Sequence, residues 1–430
     1  MKKYLIILFA LFTVTTFAQT HSQKKSPLLI EALPETVGMS SERLNRIDTM
    51  LENAVTKNEI PGAVAMVVRN GKIVYYKAFG MADNESNKAM KRDDIFRIAS
   101  QTKAITATAI MMLWEEGKFQ LDDPISKYIP EFKNPQVLKS FDKKDTSYTT
   151  VPAKTEITIR QLLSHTSGIG YGDIDDDERF KMLYHKAGVV DAWTSENISI
   201  ADNIKRLAKL PLHFNPGEKY YYSNGLDVLG YLIEIISGMP LDVYLRIHLF
   251  EPLDMKDTWF YLPQNKAERL VSLQKPQNRK WIRYPITYYD PNYPITGAKK
   301  FFPGGSGLSG TAKDYANFLQ MYLNGGEFNG KRFLSRTTIQ TIMTNQTGNL
   351  LEERPERYYG LVFSVINQKG EEKGSFGSKG TFLWGGHFNT DYFADPKEKV
   401  IGIIMKQTQD ETNDNTDWKF RILVEQAIDD

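Results

Sequence analysis

The chain has 430 residues, of which 41% are hydrophobic and 25% are charged, and its formal net charge is +2 at pH 7. These values are ordinary for a globular protein with a sizeable core, and the near-neutral charge does not favour nucleic acid or an acidic membrane surface as a partner. The chain has 0 cysteines, which excludes disulfides, thiol catalysis and thiolate metal ligands, so any nucleophile must be an oxygen or an amine.

The N-terminal segment MKKYLIILFALFTVTTFAQT has the pattern of a secretory signal peptide. Two lysines precede an apolar stretch from Tyr4 to Val14, and small residues follow near Ala18. The apolar stretch is short for a membrane span. We therefore expect a signal peptide over residues 1–18, a periplasmic or secreted location, and no stable membrane span after cleavage. An uncleaved N-terminal anchor is the alternative.

Strand patterns occur near both ends of the chain. A linker over residues 19–39 leads into Ser41–Val55, whose apolar residues have helical spacing. Two β-rich runs then flank Asn70-Gly71, which is a strong signal for a hairpin. DYFADPKEKVIGIIMKQ has the same form, with a turn at Asp395-Pro396. These patterns predict one sheet that is assembled from both termini.

The predicted fold class is α/β, with an antiparallel sheet flanked by helices and built from both termini. We expect the main domain to cover residues 40–412, with an inserted, mainly helical subdomain over about 105–300 and a C-terminal helix over 413–430. Residues 134–155 and 274–302 are predicted to be long loops, and the second is rich in tyrosine, tryptophan and proline. Long loops often form functional rims, although a solvated insertion is equally compatible.

Ser100 and Lys103 lie in IASQTKAIT, at the start of an almost wholly apolar run that reaches Glu115. A helix that is apolar on every side is predicted to be a buried central helix. Residues three positions apart are neighbours on a helix, so the hydroxyl and the amine can meet at its N-terminus. Free backbone N–H groups there favour a developing oxyanion. Ser100 could then attack a carbonyl carbon while a neutral Lys103 takes its proton.

The Ser-x-x-Lys spacing alone is weak, because it also occurs at Ser22, Ser140 and Ser272. Ser100 is the one that opens a long apolar helix. A simple role for Ser100 as a helix N-cap is the alternative.

A second candidate feature is the segment FNPGEKYYYSNGLDVLGYLIEIISG. Tyr222 is predicted to lie on a loop that can present its hydroxyl, and Asn224 can cap the helix that begins near Leu226. The Tyr-x-Asn pattern recurs at Tyr315 and Tyr322, but both of these lie inside a predicted helix.

A third feature is SKGTFLWGGHFNTDYFADPK, in which Gly385 and Gly386 lie beside a predicted strand. Glycines there allow another chain or a ligand to approach the backbone closely, and a strand-edge N–H could complete an oxyanion hole.

Two other patterns are set aside. Residues 305–310, GSGLSG, match GxGxxG, but a Pro-Gly loop precedes them where a dinucleotide site needs a strand, and Thr311 with Asp314 fits a capping box better. The six histidines form no HExxH motif or close acidic cluster, so we expect no cofactor and no metal. We expect His165 to be a hydrogen-bonded structural residue, whereas the side chain of His387 could face a cleft.

The chain resembles the class C β-lactamase-like serine hydrolases, together with penicillin-binding-protein-type peptidases and related esterases. The resemblance covers about residues 40–410 and rests on the order and spacing of five segments: Ser100-x-x-Lys103, LLSHTSGI (162–169), PGEKYYYSN (216–224), GGSGLSGTAKDYANFLQMYLNGG (304–326) and WGGHFNTDYFADP (384–396).

The resemblance implies a role for each matching residue. Ser100 looks like the acylated nucleophile and Lys103 like its base. Tyr222 would protonate the leaving group and help to activate the deacylating water. Asn224 would hold both a polar group of the substrate and the lysine. The backbone N–H groups of Ser100 and His387 would form the oxyanion hole.

One position departs from the pattern of many β-lactamases and D,D-peptidases, which carry Lys-Thr-Gly at the third motif. The preferred alignment places Trp384-Gly385-Gly386 there, without a cation, and a competing alignment on Ser378-Lys379-Gly380 puts the downstream match out of register. Members with the Trp-Gly-Gly form are often esterases, so the resemblance does not imply that recognition of a β-lactam carboxylate is required.

The sequence therefore predicts a secreted serine hydrolase that acts on a small ester, amide or β-lactam-like substrate through a Ser100 acyl-enzyme, most simply as an esterase. A D-amino-acid peptidase or carboxypeptidase, or a β-lactamase, is the main alternative, and a non-catalytic protein that binds cell-wall fragments is the second. We also hypothesise that the aromatic segment 274–302 roofs the acyl pocket. The oligomeric state stays open.

Overall fold

The computed structural model describes residues 26–351, 353–374, 377–411 and 414–430. The predicted signal peptide, residues 1–18, and the first part of the predicted linker lie outside the described residues.

The strands lie mostly near the two ends of the described chain. They are β1 (Ile30–Glu31), β2 (Gly62–Arg69), β3 (Lys72–Asp83), β4 (Lys88–Ala89), β5 (Phe96–Arg97), β6 (Gln136–Phe141), β7 (Tyr148–Pro152), β8 (Gln274–Gln277), β9 (Lys280–Arg283), β10 (Ser309–Gly310), β11 (Glu327–Phe328), β12 (Lys331–Arg332), β13 (Arg357–Tyr359), β14 (Ser364–Ile366), β15 (Phe382–Gly386), β16 (Thr390–Asp395) and β17 (Val400–Met405).

The helices fill the middle of the chain and flank the strands. They are α1 (Ser41–Leu44), α2 (Arg46–Thr56), α3 (Thr102–Glu115), α4 (Ile159–Leu163), α5 (Glu178–Ala187), α6 (Ile200–Leu207), α7 (Gly225–Ser237), α8 (Leu241–Leu245), α9 (Tyr293–Thr296), α10 (Ala312–Leu323), α11 (Arg336–Met343), α12 (Gln368–Glu372) and α13 (Thr416–Glu425).

The main sheet joins the two ends of the chain, as predicted. Its order is β1-β3-β2-β17-β16-β15-β14-β13, with β4 paired to β3, and only the β1–β3 pair is parallel within the described residues. Asn70 and Gly71 connect β2 to β3 with φ of 49° and 72°. Positive φ at both central residues is what a type I′ hairpin turn requires, so the Asn-Gly signal is confirmed.

The sheet has a hydrophobic layer on each face. Successive side chains of a strand point to opposite faces, so β2 contributes side chains to both layers. Its residues alternate between a smaller cluster with α2 and α13 and a larger cluster with α3, α7 and α10; these are Ala63, Ala65 and Val67 for the first, and Val64, Met66 and Val68 for the second. The prediction of an α/β fold with helices flanking the sheet is confirmed.

The central helix α3 is buried along almost its whole length, as its apolar sequence predicted, and it packs against α7. Two predictions for the inserted region were wrong. Residues 134–155 contain the β6–β7 hairpin, and residues 274–302 contain the β8–β9 hairpin and α9. Most side chains of these strands are exposed or half-buried, so the apolar–polar alternation that reveals a half-buried strand is absent.

No single helix in the described part of the chain is long and apolar enough to span a membrane. The segments Gly225–Ser237 and Leu241–Phe250 together have the length and composition of a membrane span, but the chain bends by 80° between them.

Candidate active site

Ser100 lies in a short 3₁₀ turn, Ala99–Gln101, immediately before α3. Ala99 enters this turn with φ of 44°, a conformation that is uncommon for a residue with a side chain. The N-cap residue of α3 is Gln101, whose side chain makes no capping bond, and the Ser100 hydroxyl contacts Lys103 instead. The alternative role of Ser100 as an N-cap is therefore not supported.

Lys103 is buried, with 1% of its surface exposed, and its amine lies beside the Ser100 hydroxyl. Nζ donates hydrogen bonds of 2.8 Å to the Tyr171 hydroxyl and 2.8 Å to the Gly305 carbonyl, and it lies 3.4 Å from Ser100 Oγ. Among the described residues, no carboxylate lies within ion-pair distance of this amine. The two short bonds hold the amine next to the serine on a side away from solvent.

Tyr222 lies on the loop before α7, as predicted, and reaches the same group. Nζ of Lys103 is 4.6 Å from the centre of the Tyr222 ring, and the Trp384 indole N–H donates a 3.3 Å hydrogen bond to the Tyr222 hydroxyl. His165 packs behind the ring with a centroid distance of 4.5 Å. The ring of Tyr222 is thus fixed between a histidine, a tryptophan and the lysine.

His165 has the structural role that the sequence predicted. It follows α4, whose N-terminus has a complete capping box formed by Thr158 and Gln161. His165 Nδ1 lies 3.1 Å from the Ser223 hydroxyl. Burial, and then the charge of Lys103, hold the pKa of His165 well below its usual value, so this side chain is a neutral support for the tyrosine loop.

Asn224 does not make the contacts that were predicted for it. It occupies the N-cap position of α7, but its side chain makes no capping bond, and its amide donates a 2.7 Å hydrogen bond to Asp191 Oδ1. No hydrogen bond joins it to Lys103 in the described structure. The N-cap position was predicted correctly, but the capping bond and the lysine contact were not, because the bond from the Asn224 amide N–H to the buried Asp191 carboxyl sets the orientation of the whole side chain.

Asp191 is a buried carboxyl group at the edge of the site. The backbone N–H of Gly172 donates a 2.6 Å hydrogen bond to its second oxygen. Burial raises the pKa of Asp191 to about 7, while the hydrogen bonds from Asn224 and Gly172 act in the opposite direction. Asp191 therefore fixes the orientation of Asn224.

The glycine-rich segment that matched GxGxxG forms a support for the lysine. Gly305 accepts the hydrogen bond from Lys103 through its carbonyl and donates a 2.6 Å bond to Asp227 through its N–H. A Cβ at this position would lie 3.0 Å from Asp227 Oδ1 and 3.4 Å from Lys103 Nζ. Burial raises the pKa of Asp227 to about 6, although the Gly305 bond and the Lys103 charge lower it.

The third motif lies where the preferred alignment requires it. Strand β15 contacts the Ser100 turn, and a Cβ at Gly386 would lie 2.5 Å from the carbonyl oxygen of Ile98. Glycine thus permits the close approach that its position suggested. Lys379, the cation of the competing alignment, is exposed in a turn and does not line the cleft.

His387 follows β15 and its imidazole faces the cleft, stacked on Trp193 at 5.3 Å. Its backbone N–H has no acceptor among the described residues, and its Nε2 is buried without a partner. Burial, and then the charge of Lys103, lower the pKa of His387. The free N–H beside Ser100 is suited to an oxyanion.

These residues surround a cleft of about 360 Å³ that opens to solvent. Its lining is largely aromatic and consists of Ser100, Tyr171, Ile174, Asp191, Ala192, Trp193, Tyr222, Tyr288, Ser306, Leu383, Trp384, Gly385 and His387. Tyr288 comes from the aromatic segment 274–302, and Tyr289 and Tyr293 of the same segment pack against Trp193. The segment therefore contributes one wall of the cleft.

Three contributors escaped the sequence reasoning, namely Tyr171, Asp191 and Trp193, and the role of Gly305 was not predicted although it lies in the segment 304–326. Tyr171 had a signal, because it comes two residues after the LLSHTSGI segment. Burial raises its pKa well above the usual value, so its hydroxyl stays protonated. Asp191 and Trp193 lie in no recognisable motif. Over the ranges of the chain that the structure covers, no three His, Asp or Glu side chains converge to hold a metal ion.

Comparison with known proteins finds relatives along most of the chain. A family model described as "Beta-lactamase" matches residues 47–426. "Protein Rv1367c" of Mycobacterium tuberculosis (strain ATCC 25618 / H37Rv) is 31% identical over 364 residues, which cover 81% of this chain and 86% of that protein. "Esterase EstB" of Burkholderia gladioli is 30% identical over 372 residues, which cover 83% and 88%. A solved structure described as "EstCE1, a hydrolase with promiscuous acyltransferase activity" has a TM-score of 0.76 and 25% identity, covering 89% of this chain and 98% of that one.

Proposed function

Since the chain belongs to the beta-lactamase family of serine hydrolases, we propose that it is an esterase that forms an acyl-enzyme on Ser100. The observation that carries the proposal is the position of the Lys103 amine, which lies 3.4 Å from the Ser100 hydroxyl in a buried setting without a carboxylate partner. A serine needs an adjacent base to become a nucleophile at neutral pH.

The hydrogen bonds of Lys103 are compatible with this role. A neutral amine has two N–H donors and one lone pair. The two short bonds to Tyr171 and Gly305 use the two donors, which leaves the lone pair for the hydroxyl proton of Ser100. Ser100 Oγ would then bond to the carbonyl carbon of the substrate while its proton passes to Lys103.

The oxyanion that forms on the carbonyl oxygen would be stabilised by backbone N–H groups. We assign this role to Ser100, at the start of the central helix, and to His387, whose N–H has no acceptor in the described part of the chain. Donors that are fixed before the reaction stabilise charge without reorganisation, and loss of one such donor typically costs about a hundredfold or more in rate.

Tyr222 would give its proton to the leaving oxygen as the acyl bond to that oxygen breaks. Its hydroxyl then recovers a proton through Lys103, whose amine lies against the Tyr222 ring. In the second half of the reaction a water molecule attacks the Ser100 ester, the pair of Lys103 and Tyr222 takes its proton, and Ser100 leaves as the hydroxyl. That proton passes on to Ser100 Oγ as the ester bond breaks, so the products are the carboxylic acid and the enzyme in its starting state.

Esters are favoured over amides and β-lactams by two observations. Trp384-Gly385-Gly386 places no cation at the third motif, and a relative at 30% identity is named an esterase. The peptidase, β-lactamase and non-catalytic alternatives are outcomes of the test that follows.

We expect a 4-nitrophenyl phosphonate to add one phosphonyl group per chain, because the activated serine attacks phosphorus as it would attack a carbonyl. Intact-mass measurement followed by peptide mapping should place the adduct on Ser100, and Ser100→Ala should remain unmodified. A stoichiometric adduct with labelled penicillin would favour the peptidase or β-lactamase instead. A chain that reacts with neither reagent would favour a ligand-binding protein without catalysis.

Tyr288 is expected to influence which acyl chains are accepted, because it lines the cleft from the aromatic segment and is 47% exposed. Tyr288→Ala removes apolar contact area, so kcat/KM for a 4-nitrophenyl octanoate should fall about threefold or more relative to the acetate. Ile286→Ala is the matched control, since Ile286 is exposed on the same segment but does not line the cleft. If the octanoate-to-acetate ratio of kcat/KM is the same in both variants, the segment has only a packing role.

A further inference from the structure

A second cleft adjoins the catalytic one. Its volume is about 730 Å³, and Tyr222 and Trp384 line both clefts. These two side chains, joined by the indole–hydroxyl hydrogen bond, therefore form the boundary between the two spaces. A leaving group that departs from Ser100 on the Tyr222 side would therefore face this boundary.

Basic side chains line this second cleft without acidic partners at hydrogen-bond distance. They are Lys219, Arg354 and Arg357. Within the described residues, neither Lys219 nor Arg354 forms an ion pair or a side-chain hydrogen bond. Arg357 comes closest to a carboxylate at Glu356, where Nε and Oε1 are 3.6 Å apart, and its buried Nε has no hydrogen-bond partner.

Arg357 has one carboxylate near it, that of Glu356, which raises its pKa but does not offset the effect of burial. Burial lowers the pKa of Arg357, which means that the charged guanidinium is held in a setting that does not fully compensate it. A partly buried arginine is usually paired, and its planar fork matches a carboxylate in a bidentate manner. An anion in the second cleft would supply the hydrogen bond that the distant Glu356 does not make.

Two acidic residues also line this cleft, and neither forms an ion pair with a basic one in the described structure, although the charge of Lys219 acts on Glu218. Glu218 accepts hydrogen bonds from the backbone and side chain of Asn215, at 3.2 and 3.1 Å. Glu353 is exposed and makes no ion pair in the described structure. Ser364, on strand β14 opposite Tyr359 of β13, lines the cleft with a hydroxyl that has no hydrogen bond among the described residues.

We propose that the second cleft binds a carboxylate carried by the leaving group of the substrate, with Arg354 and Arg357 as its main ligands. The inference rests on the proposed function, because Tyr222 is assigned there to protonate the leaving group and Tyr222 opens into this cleft. The cations that bind the carboxylate would then lie on β13 and on the loop before β13. Strand β15, which carries the third motif, has no cation in that motif. The substrate class is an ester whose alcohol or phenol portion is acidic.

Two esters that share one acyl group test this inference. They are 4-acetoxybenzoate, whose leaving group carries a carboxylate, and methyl 4-acetoxybenzoate, whose leaving group is neutral. The ratio of their kcat/KM values is measured for the wild-type chain, Arg354→Ala, Arg357→Lys and the double variant Arg354→Ala/Arg357→Ala. Arg336→Ala is the control. Arg336 is exposed and lies outside both clefts, and its substitution removes one positive charge, as Arg354→Ala does.

We expect the double variant to lower the ratio by about tenfold or more, mainly through KM, because charge-assisted hydrogen bonds to a carboxylate are lost. Arg354→Ala alone should lower the ratio by a smaller factor. Because Arg354 is exposed, this variant should fold like the wild type. Arg357→Lys should retain part of the preference, and Arg336→Ala all of it. Added salt should weaken the wild-type preference.

The inference is overturned if the wild-type chain hydrolyses both esters and the double variant leaves their ratio unchanged, an outcome that leaves the proposed hydrolase intact. Equal loss on both esters would indicate a structural role for the arginines and would overturn it as well. If the wild-type chain hydrolyses neither ester nor any simple 4-nitrophenyl ester, the proposed function itself fails.

Discussion

Ser100→Ala should lower the turnover of 4-nitrophenyl acetate by at least about a thousandfold, because it removes the atom that forms the acyl-enzyme. Its thermal unfolding midpoint should stay close to that of the wild type. The hydroxyl of Ser100 has one hydrogen-bond contact, at 3.4 Å from Lys103, and Ser100 is half-buried. Removing one weak contact and leaving a methyl group in place costs little stability. Steady-state kinetics and calorimetry on the same samples measure both quantities.

Ser306→Ala is the matched control for this substitution. Ser306 also lines the catalytic cleft, and its hydroxyl makes no hydrogen bond with the described residues. We expect this variant to retain turnover within about threefold, as is usual for a substitution that leaves the reacting groups in place. Undiminished hydrolysis by Ser100→Ala would show that another residue is the nucleophile.

Lys103→Met should lower kcat by roughly a thousandfold, the contribution typical of a general base, and should prevent rapid acylation of Ser100. Methionine has a similar length and no proton to exchange, so the position beside Ser100 stays filled while the base is lost. The variant leaves the Tyr171 hydroxyl and the Gly305 carbonyl without a donor, but it also removes a buried polar group. These effects oppose each other, and we expect the unfolding midpoint to shift by only a few degrees.

Tyr171→Phe separates the loss of the base from the loss of its support. It removes one of the two short hydrogen bonds of Lys103 and keeps the amine. Burial already holds the Tyr171 hydroxyl in its protonated form, so this residue is not itself a base. We therefore expect a reduction of about tenfold, much smaller than that of Lys103→Met. If Lys103→Met acylates Ser100 as fast as the wild type in single-turnover mass measurements, lysine is not the base.

The sheet and the central helix could be predicted because their signals are local. Asn70-Gly71 fixes a tight hairpin through two adjacent residues, and the apolar run after Ser100 identifies a buried helix without any knowledge of its neighbours. The hairpins β6–β7 and β8–β9 lacked such a signal. Their strands are short and largely solvated, so nothing in the order of polar and apolar residues separates them from loops.

The candidate catalytic residues were predicted from motifs, whereas most of the contacts that hold them were not. The bond from Lys103 to Gly305 joins residues that are 202 positions apart, and the bond from Asn224 to Asp191 joins a motif residue to one that lies in no motif. A helix-capping role for Asn224 was a reasonable expectation from its position before α7. The structure differs because long-range contact brought a buried carboxylate to the same amide, and a single sequence carries no signal for that meeting.

Because β2 pairs with β17, the main sheet and the cleft beside it can be completed only late in synthesis. Ser100 and Lys103 leave the ribosome early, whereas β15 to β17, which supply the wall beside the nucleophile turn, leave near the end of synthesis. Domains fold as units, and here the unit is complete only when its last strands are available. A nascent chain therefore holds its serine and lysine without the strand that faces them, and the cleft around Ser100 is not closed on that side until translation is nearly over.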